Sequence, residues 1–368
     1  MIVGLAKEVK NNEGRVALLP ADAGELVALG HTVYFEKGCG VLSGIEDAEY
    51  CEYGAIQLDT HEALFEKSDL IIKVKEIVES EYSLLKDGQT IIGFFHLTAD
   101  KKQTDLFLEK NITSIDYEYF KNPKTGKRAI TMSPIAGRLG MMQGFNYLCS
   151  SNGGKGVLPM GVPGVEPANV TIVGAGDAGL GAIKVAVNMG ANVTVLLRDV
   201  RKLEALENDF GNQITYKILN RENVIYALKT TDAFVNCMYW DKLRTDHLVY
   251  RKDLSYMKKG AIIVDISCDI AGGVETCRAT THDDPVYEVD GITHYCVDNI
   301  PGAVAYTSSK YICAQSFPFI KEIVEKGTAA FASNEITRGA VLTHNGEITH
   351  SLIGNKWEIP VKQILDLI

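Results

Sequence analysis

A basic excess is missing from this sequence: 37 lysines and arginines face 47 aspartates and glutamates over 368 residues, a formal net charge of −10. Phosphate backbones and anionic lipid surfaces need cationic charge opposite them, so neither nucleic acid nor a membrane surface is an expected partner. Also missing is any uninterrupted apolar run long enough to span a bilayer. The opening "MIVGLAKEVKNNEGR" reads as a short strand followed by polar residues, not as a secretion signal. The cysteines, Cys39, Cys51, Cys149, Cys237, Cys268, Cys277, Cys296 and Cys313, include no CxxC pair and no zinc-like spacing. The expectation is therefore a cytoplasmic protein with reduced thiols and no metal site. A catalytic cysteine is the sharper alternative.

What is present is an ordinary globular composition, 46% hydrophobic and 23% charged, on a chain long enough for two domains. Short apolar runs alternate with helix-like segments from end to end, the pattern of an α/β protein with mainly parallel sheets. "MIVGLA" reads as a strand, and "PADAGELVALG" follows as a helix with proline at its start and glycine at its end. "HTVYFEKG", "DLIIKVKE", "TIIGFFH" and "ITSIDYEYF" read as further strands. The polar stretch "KNPKTGKRAITMSPIAGR" looks like a crossing between domains. Beyond it come a helix from Ile135 towards Asn152, a glycine-rich loop, and a central unit with strands "VTIVGAG", "NVTVLLR", "TDAFVNCMY", "GAIIVDISCD" and "ITHYCVDN". A long helix from Lys310 to Gly327 and a polar tail close the chain.

"VTIVGAGDAGLGAIKVAVNMG" sets Gly174, Gly176 and Gly179 in GxGxxG spacing between a strand and a helix. The first glycine permits the tight turn, the second lets backbone approach a pyrophosphate, and the third allows close helix–strand packing. With Asp177 and Ala178 between the last two glycines, this turn is the expected dinucleotide cradle, its phosphates facing the helix N-terminus. About twenty residues on, the next strand should end in a carboxylate for the ribose hydroxyls of NAD. Here "VTVLLRD" supplies Leu197 and Arg198. Removing the acid and adding a guanidinium favours the 2′-phosphate, so NADP(H) is the expected cofactor. Arg201 and Lys202 could add positive charge. NAD(H) is the alternative, with Arg198 merely solvated and Asp199 doing the acid's work.

Three basic residues stand out in the first hundred positions. Arg15 lies in the polar loop "NNEGRVALLP", Lys75 closes "DLIIKVKE", and His96 closes "TIIGFFH". Strand ends of open α/β sheets are where ligands bind. A strand-end lysine or histidine is usually a solvated group, but a fixed cation, a lysine and an imidazole together suit a small carboxylate undergoing proton-coupled chemistry. In "GAIIVDISCDIAGGVETC", Asp269 lies just past a strand end, where it could activate water or orient an amino group, whereas Asp265 reads as a structural partner of backbone N–H groups.

These residues, in this order, resemble the alanine dehydrogenase family, which is related to the NAD-binding part of the proton-pumping transhydrogenases. The resemblance covers nearly the whole chain, through "GLAKEVKNNEGRVALLP", "IIKVKE", "FFHLTAD", "GVPGVEPANVTIVGAG", the stretch from "VDIS" to "DPVY", and "HYCVDNIPGAV". It implies two Rossmann-like domains with the active site in the interdomain cleft. The catalytic domain would be discontinuous, residues 1–128 plus 302–368, with the dinucleotide-binding domain, residues 129–301, inserted between. It implies that Arg15 and Lys75 bind the substrate carboxylate and carbonyl and that His96 is the acid/base. Asp269 would handle the water or ammonia step, Asn299 would lie near the nicotinamide, and Ser133 matches a cofactor-contacting serine. A homo-oligomer, a hexamer, is implied as well. The function so implied is NAD(P)-dependent oxidation of an amino acid, L-alanine first, to a 2-oxo acid and ammonia. The alternative is the chemistry of a neighbouring branch, the carboxyethyl-ornithine synthases, which joins pyruvate to an amino acid's amine with NADPH. A cofactor-binding module without turnover is a third possibility, opposed by the complete set Arg15, Lys75, His96 and Asp269.

Four departures from the family pattern stand out: Leu197 with Arg198 at the ribose position, Pro134 in place of an acid, Ala305 and Tyr306 after "PGAV", and the segment 235–244, "VNCMYWDKLR".

Overall fold

A computed structural model of the chain describes residues 1–240, 244–268 and 272–368. In chain order the strands are β1 Ile2–Leu5, β2 Thr32–Glu36, β3 Ile56–Leu58, β4 Leu70–Ile72, β5 Thr90–Gly93, β6 Thr113–Asp116 and β7 Asn169–Val173. They continue as β8 Asn192–Leu197, β9 Ile214–Ile218, β10 Ala233–Asn236, β11 Ile262–Asp265, β12 Val286–Val289, β13 Ile292–Tyr295, β14 Val341–His344 and β15 Glu347–Ile348. The chain is a mixed α/β protein with two sheets and two compact units, Met1–Met132 with Val304–Ile368, and Ser133–Ala303.

The sheet of the first unit runs β15-β14-β6-β5-β4-β1-β2-β3. Strands β1 to β6 pair in parallel, and β14 and β15 add an antiparallel edge. Both faces are covered, which is why these strands are continuously apolar. Leu70 and Ile72 of β4 enter one core with Val3, Leu5 and Ile92, while Ile71 enters the opposite one with Ile91 and Leu342. The polar tail expected after the long helix is thus partly wrong in character, because it contains the fully buried strand β14. Its apolar run is only "VLTH", too short to stand out between polar neighbours. The long helix itself is Ala305–Lys326, beginning before Lys310 and carrying Pro318 inside.

The second unit holds a seven-stranded sheet, β12-β13-β11-β10-β7-β8-β9, parallel except for β12. Val170, Ile172, Val193 and Val195 face one core, and Val173, Leu196, Phe234 and Ile263 face the other. Two helices of this unit touch backbone to backbone. A Cβ added at Gly137, in the helix Ser133–Tyr147, would fall 1.8 Å from the Ala178 carbonyl oxygen of the helix Asp177–Asn188. A Cβ at Gly181 would fall 2.7 Å from the Pro134 carbonyl oxygen. Glycines at both positions let the two helices approach closely, and so fix where the helix carrying the glycine turn begins. Among the described residues no helix is long and apolar enough to cross a membrane.

Candidate active site

In the first unit, strands β4 and β5 deliver Lys75 and His96, although each residue lies three positions past the last strand residue rather than within it. The backbone leaves the ladder early because side-chain carboxylates replace it. Glu8 accepts from the Val74 amide at 2.5 Å, and Asp116 accepts from the Phe95 amide at 2.9 Å. Asp116 is fully buried and Glu8 partly so, and burial pushes Glu8 up to about 7 and Asp116 up to about 6.

Arg15 is buried and gripped by Glu13, whose Oε1 accepts from Arg15 Nε at 2.6 Å and whose other oxygen accepts from Nη2. Such a two-pronged pair fixes the plane of the guanidinium. The Lys75 ammonium is held below the ordinary lysine range by burial, with Lys10 and Arg15 adding repulsion. Lys10 in turn pairs with Glu76 at 2.5 Å. Three cations are thus brought to one place, with Glu13 and Glu76 as their local counter-charges. The arrangement suits a small carboxylate ligand.

His96 sits at φ +51°, in the left-handed region that histidine tolerates better than most residues. Its Nδ1 lies 3.7 Å from Glu118 Oε2, and Arg128 Nη1 lies 3.4 Å from the other Glu118 oxygen. The Glu118 carboxylate raises the His96 pKa, against burial and against the positive Lys75. Reciprocally, His96 and Arg128 hold Glu118 below the usual carboxylate range. An imidazole with a carboxylate behind it has a fixed ring and a tunable proton, the requirement for a general acid/base. We expect Glu118→Gln to let the His96 pKa fall. The rising limb of kcat/KM against pH for amino-acid oxidation, which needs the neutral ring, should then move to lower pH. A limb that stays in place would remove Glu118 from this role.

Glu8, Glu13, Asp116 and Glu118 were not singled out in the sequence. The available signal was acids alternating with aromatics in "SIDYEYF", which runs out of the end of β6, the strand that pairs with β5.

In the second unit each glycine of the turn Gly174–Gly179 meets a different spatial constraint. Gly174 is at φ +95° and a Cβ there would crowd the Cys237 backbone at 3.1 Å. A Cβ on Gly179 would collide with the Gly174 carbonyl oxygen at 2.0 Å. At Gly176 it would meet nothing within 4 Å, and Gly176 and Asp177 are exposed at the start of their helix. Open space in front of a helix N-terminus, edged by a residue without a side chain, fits a pyrophosphate.

The Leu197 side chain packs into the core beside Val195 and Leu203, and its carbonyl accepts from the Leu219 amide at 2.7 Å. Only Arg198 projects from the strand end. Its guanidinium lies over the Trp240 ring at 5.9 Å, while Arg244 covers the same ring at 4.0 Å. Asp199 is engaged elsewhere. It caps the helix Val200–Phe210, accepting from the Arg201 amide at 3.0 Å, and it also pairs with the Arg201 guanidinium at 3.3 Å. Ser133 is the first residue of the helix Ser133–Tyr147, and the Asn299 carbonyl accepts from His282 Nε2 at 2.8 Å in the connection after β13. Asp269 lies outside the described residues. Asp265 is buried at the end of β11, where Asn236 Nδ2 at 2.9 Å and the Ser267 amide at 3.2 Å donate to it.

Residues 4–138 match the family model "Alanine dehydrogenase/PNT, N-terminal domain", and residues 140–351 match the corresponding C-terminal domain model. The chain belongs to the alanine dehydrogenase/PNT family. It is 42% identical to an alanine dehydrogenase of Methanococcus maripaludis, over 98% of this chain and 97% of that protein. An alanine dehydrogenase of Mycolicibacterium smegmatis is 37% identical, with 98% of each chain covered. A solved L-alanine dehydrogenase superposes with a TM-score of 0.94 at 32% identity, covering 97% of this chain and 99% of that one. A transhydrogenase from Sinorhizobium meliloti follows at a TM-score of 0.77 and 25% identity, covering 95% of this chain and 99% of its own. Membership in the alanine dehydrogenase/PNT family implies a nicotinamide cofactor.

Two departures from the alanine dehydrogenase pattern have local physical accounts. Pro134 occupies the first turn of its helix, where a missing N–H costs nothing. Tyr306 is exposed; its ring lies under the Lys310 ammonium at 4.3 Å, and Lys310 also donates to its phenol at 2.5 Å.

Proposed function

We propose that this chain catalyses the reversible oxidative deamination of L-alanine to pyruvate and ammonia, with NADP preferred over NAD. The observation that carries the reading is the grouping in one unit of the Arg15 and Lys75 cations with an imidazole backed by Glu118. Arg15, its plane fixed by Glu13, takes the substrate carboxylate. Lys75, poorly hydrated and low in pKa, donates to the carboxylate or to the carbonyl oxygen of the 2-oxo acid. Held at both points, the substrate has one orientation for its Cα hydrogen, which is the entropic part of the catalysis. A bound nicotinamide supplies the acceptor for that hydride at C4. His96 takes the proton released as water adds to the imine carbon, and returns it in the reductive direction. Asp269 orients that water or the incoming ammonia. Ser133 and Asn299 contact the cofactor, and the turn Gly174–Gly179 takes its pyrophosphate.

The NADP preference rests on the end of β8. There the side chain facing outward is a guanidinium, the nearest acid is consumed as a helix cap, and Arg244 adds a second cation over Trp240. Steady-state assays with alanine and each oxidised cofactor test both parts. The expected result is turnover with both and a higher kcat/KM with NADP. Reduction of pyruvate by NADPH with ammonia, then with ornithine or lysine in its place, tests the substrate. Turnover with the larger amines and none with ammonia would replace alanine by a reductive condensation.

A further inference from the structure

Two buried serines from distant parts of the chain meet beside Arg15. Ser43 closes the short helical turn Val41–Ser43, Ser309 lies near the start of the helix Ala305–Lys326, and both are fully buried. Their hydroxyl oxygens are 2.8 Å apart. Ser43 Oγ also lies 2.6 Å from the Gly14 carbonyl oxygen, and the Val16 amide donates to Ser309 Oγ at 2.9 Å. These partners fix the direction of every bond. A carbonyl only accepts, so the single Ser43 proton points to Gly14, and Ser309 donates its own to Ser43. The order is Val16 N–H, Ser309 hydroxyl, Ser43 hydroxyl, Gly14 carbonyl, with both serines donating and accepting once. The two ends of this chain of bonds belong to the peptide groups on either side of Arg15. Peptide groups are planar, so holding both restrains the two backbone dihedrals of Arg15. Cys313, one turn along the same helix face, donates its thiol to the Val16 carbonyl at 3.6 Å. Glycine at position 14 permits the approach, since a Cβ there would fall 2.6 Å from Leu42 Cβ.

We propose, on the reading of Arg15 as the cation that takes the substrate carboxylate, that Ser43 and Ser309 are positioning residues for it. Glu13 orients the guanidinium plane, but it lies two residues away in the same loop and moves wherever that loop moves. The serines instead tie the loop to two separate elements of the unit. A satisfied pair of buried hydroxyls resists rearrangement, because leaving any partner orphaned is costly. Removing one hydroxyl leaves the Val16 amide or the Gly14 carbonyl without its buried partner and frees the Arg15 backbone to shift. Neither serine belongs to the proton path, so the loss acts on substrate binding. A carboxylate held alike in ground state and transition state contributes to KM rather than to kcat.

The test is steady-state reduction of pyruvate with ammonia by the full-length protein, using whichever reduced cofactor the parent turns over faster. Ser43→Ala and Ser309→Ala should each raise the pyruvate KM by about 10-fold, with kcat changed much less and the cofactor dissociation constant unchanged. The double variant should be no worse than the worse single one, because either substitution alone breaks the chain of bonds. Ser114→Ala supplies the comparison. Its hydroxyl, 2.7 Å from Thr343 Oγ1, belongs to an equally buried pair in the same unit, linking β6 to β14. That substitution should lower the melting temperature and leave the pyruvate KM in place. A pyruvate KM that stays at the parent value in both serine variants, or losses that add in the double variant, would overturn the positioning role. A parent inactive with pyruvate would overturn the carboxylate reading of Arg15 as well, which separates the two failures. Hydrogen exchange on the parent needs no substitution: pyruvate bound with the cofactor should slow the Val16 and Ser43 amides by the same factor. Unequal slowing, or none, would overturn the bridge even if no variant folds.

Discussion

His96→Ala is expected to lower kcat for alanine oxidation by roughly 10²–10⁴-fold, while leaving the dissociation constant for the cofactor unchanged. The size follows from the job: the ring is the titratable group placed among the cations that would hold the substrate, whereas the carboxyls that also titrate near neutrality, Glu8 and Asp116, are engaged by the Val74 and Phe95 amides. The position complicates the reading, because φ is +51° and alanine dislikes the left-handed region. His96→Asn separates the two effects. Asparagine accepts that backbone conformation but cannot exchange a proton, so it should be as inactive as alanine while melting at the parent temperature. Cofactor titration by fluorescence checks the other half, since the glycine turn belongs to a different compact unit. An asparagine variant that turns over near the parent rate would take His96 out of the proton path.

The parts of this site that could be read in the sequence are those carrying an unusual charge in an apolar setting. Lys75 and His96 stand out because "DLIIKVKE" and "TIIGFFH" are otherwise apolar, and a parallel sheet with both faces covered demands such runs. The glycine turn is legible for a similar reason, since strand, spacing and helix constrain one another. Their partners were not legible. Glu118 is one of 47 acidic residues, and only the pairing of β5 with β6 brings it to His96. Glu8 is less visible still, because it supports Lys75 through the Val74 amide rather than through its own charge. The fold shows the same division. The apolar buried strands were evident, whereas β3, β9, β12 and the late pair β14 and β15 were not, since each mixes polar residues into a run of two to five. They owe their place to neighbouring strands that already exist. The segment 235–244 looked like a mere departure until folding placed Trp240 beneath two arginines.

That platform makes the cofactor choice a measurable one. Arg198→Ala is expected to weaken NADP binding by roughly 10–100-fold, the worth of a charged hydrogen-bonded contact to phosphate, and to leave NAD binding within a few-fold of the parent by the same reasoning. The other cations nearby cannot fully replace it. Arg201 is partnered by Asp199 at 3.3 Å, and Arg244 is held by Asp246, whose Oδ1 accepts from its Nε at 2.7 Å. Among the described residues Arg198 has no carboxylate at ion-pair distance, Asp246 feeling its charge only from farther off, so a phosphate placed there would meet a guanidinium without a close counter-ion. Arg198→Lys should recover part of the loss, because the charge returns but the planar fork does not. Raising the salt concentration should narrow the difference between cofactors in the parent and much less in the alanine variant, since an exposed charge is screened. Equal losses for both cofactors would make Arg198 a surface residue. A parent that prefers NAD would instead point to a ribose contact other than Asp199, because that carboxylate is already the cap of the helix that follows.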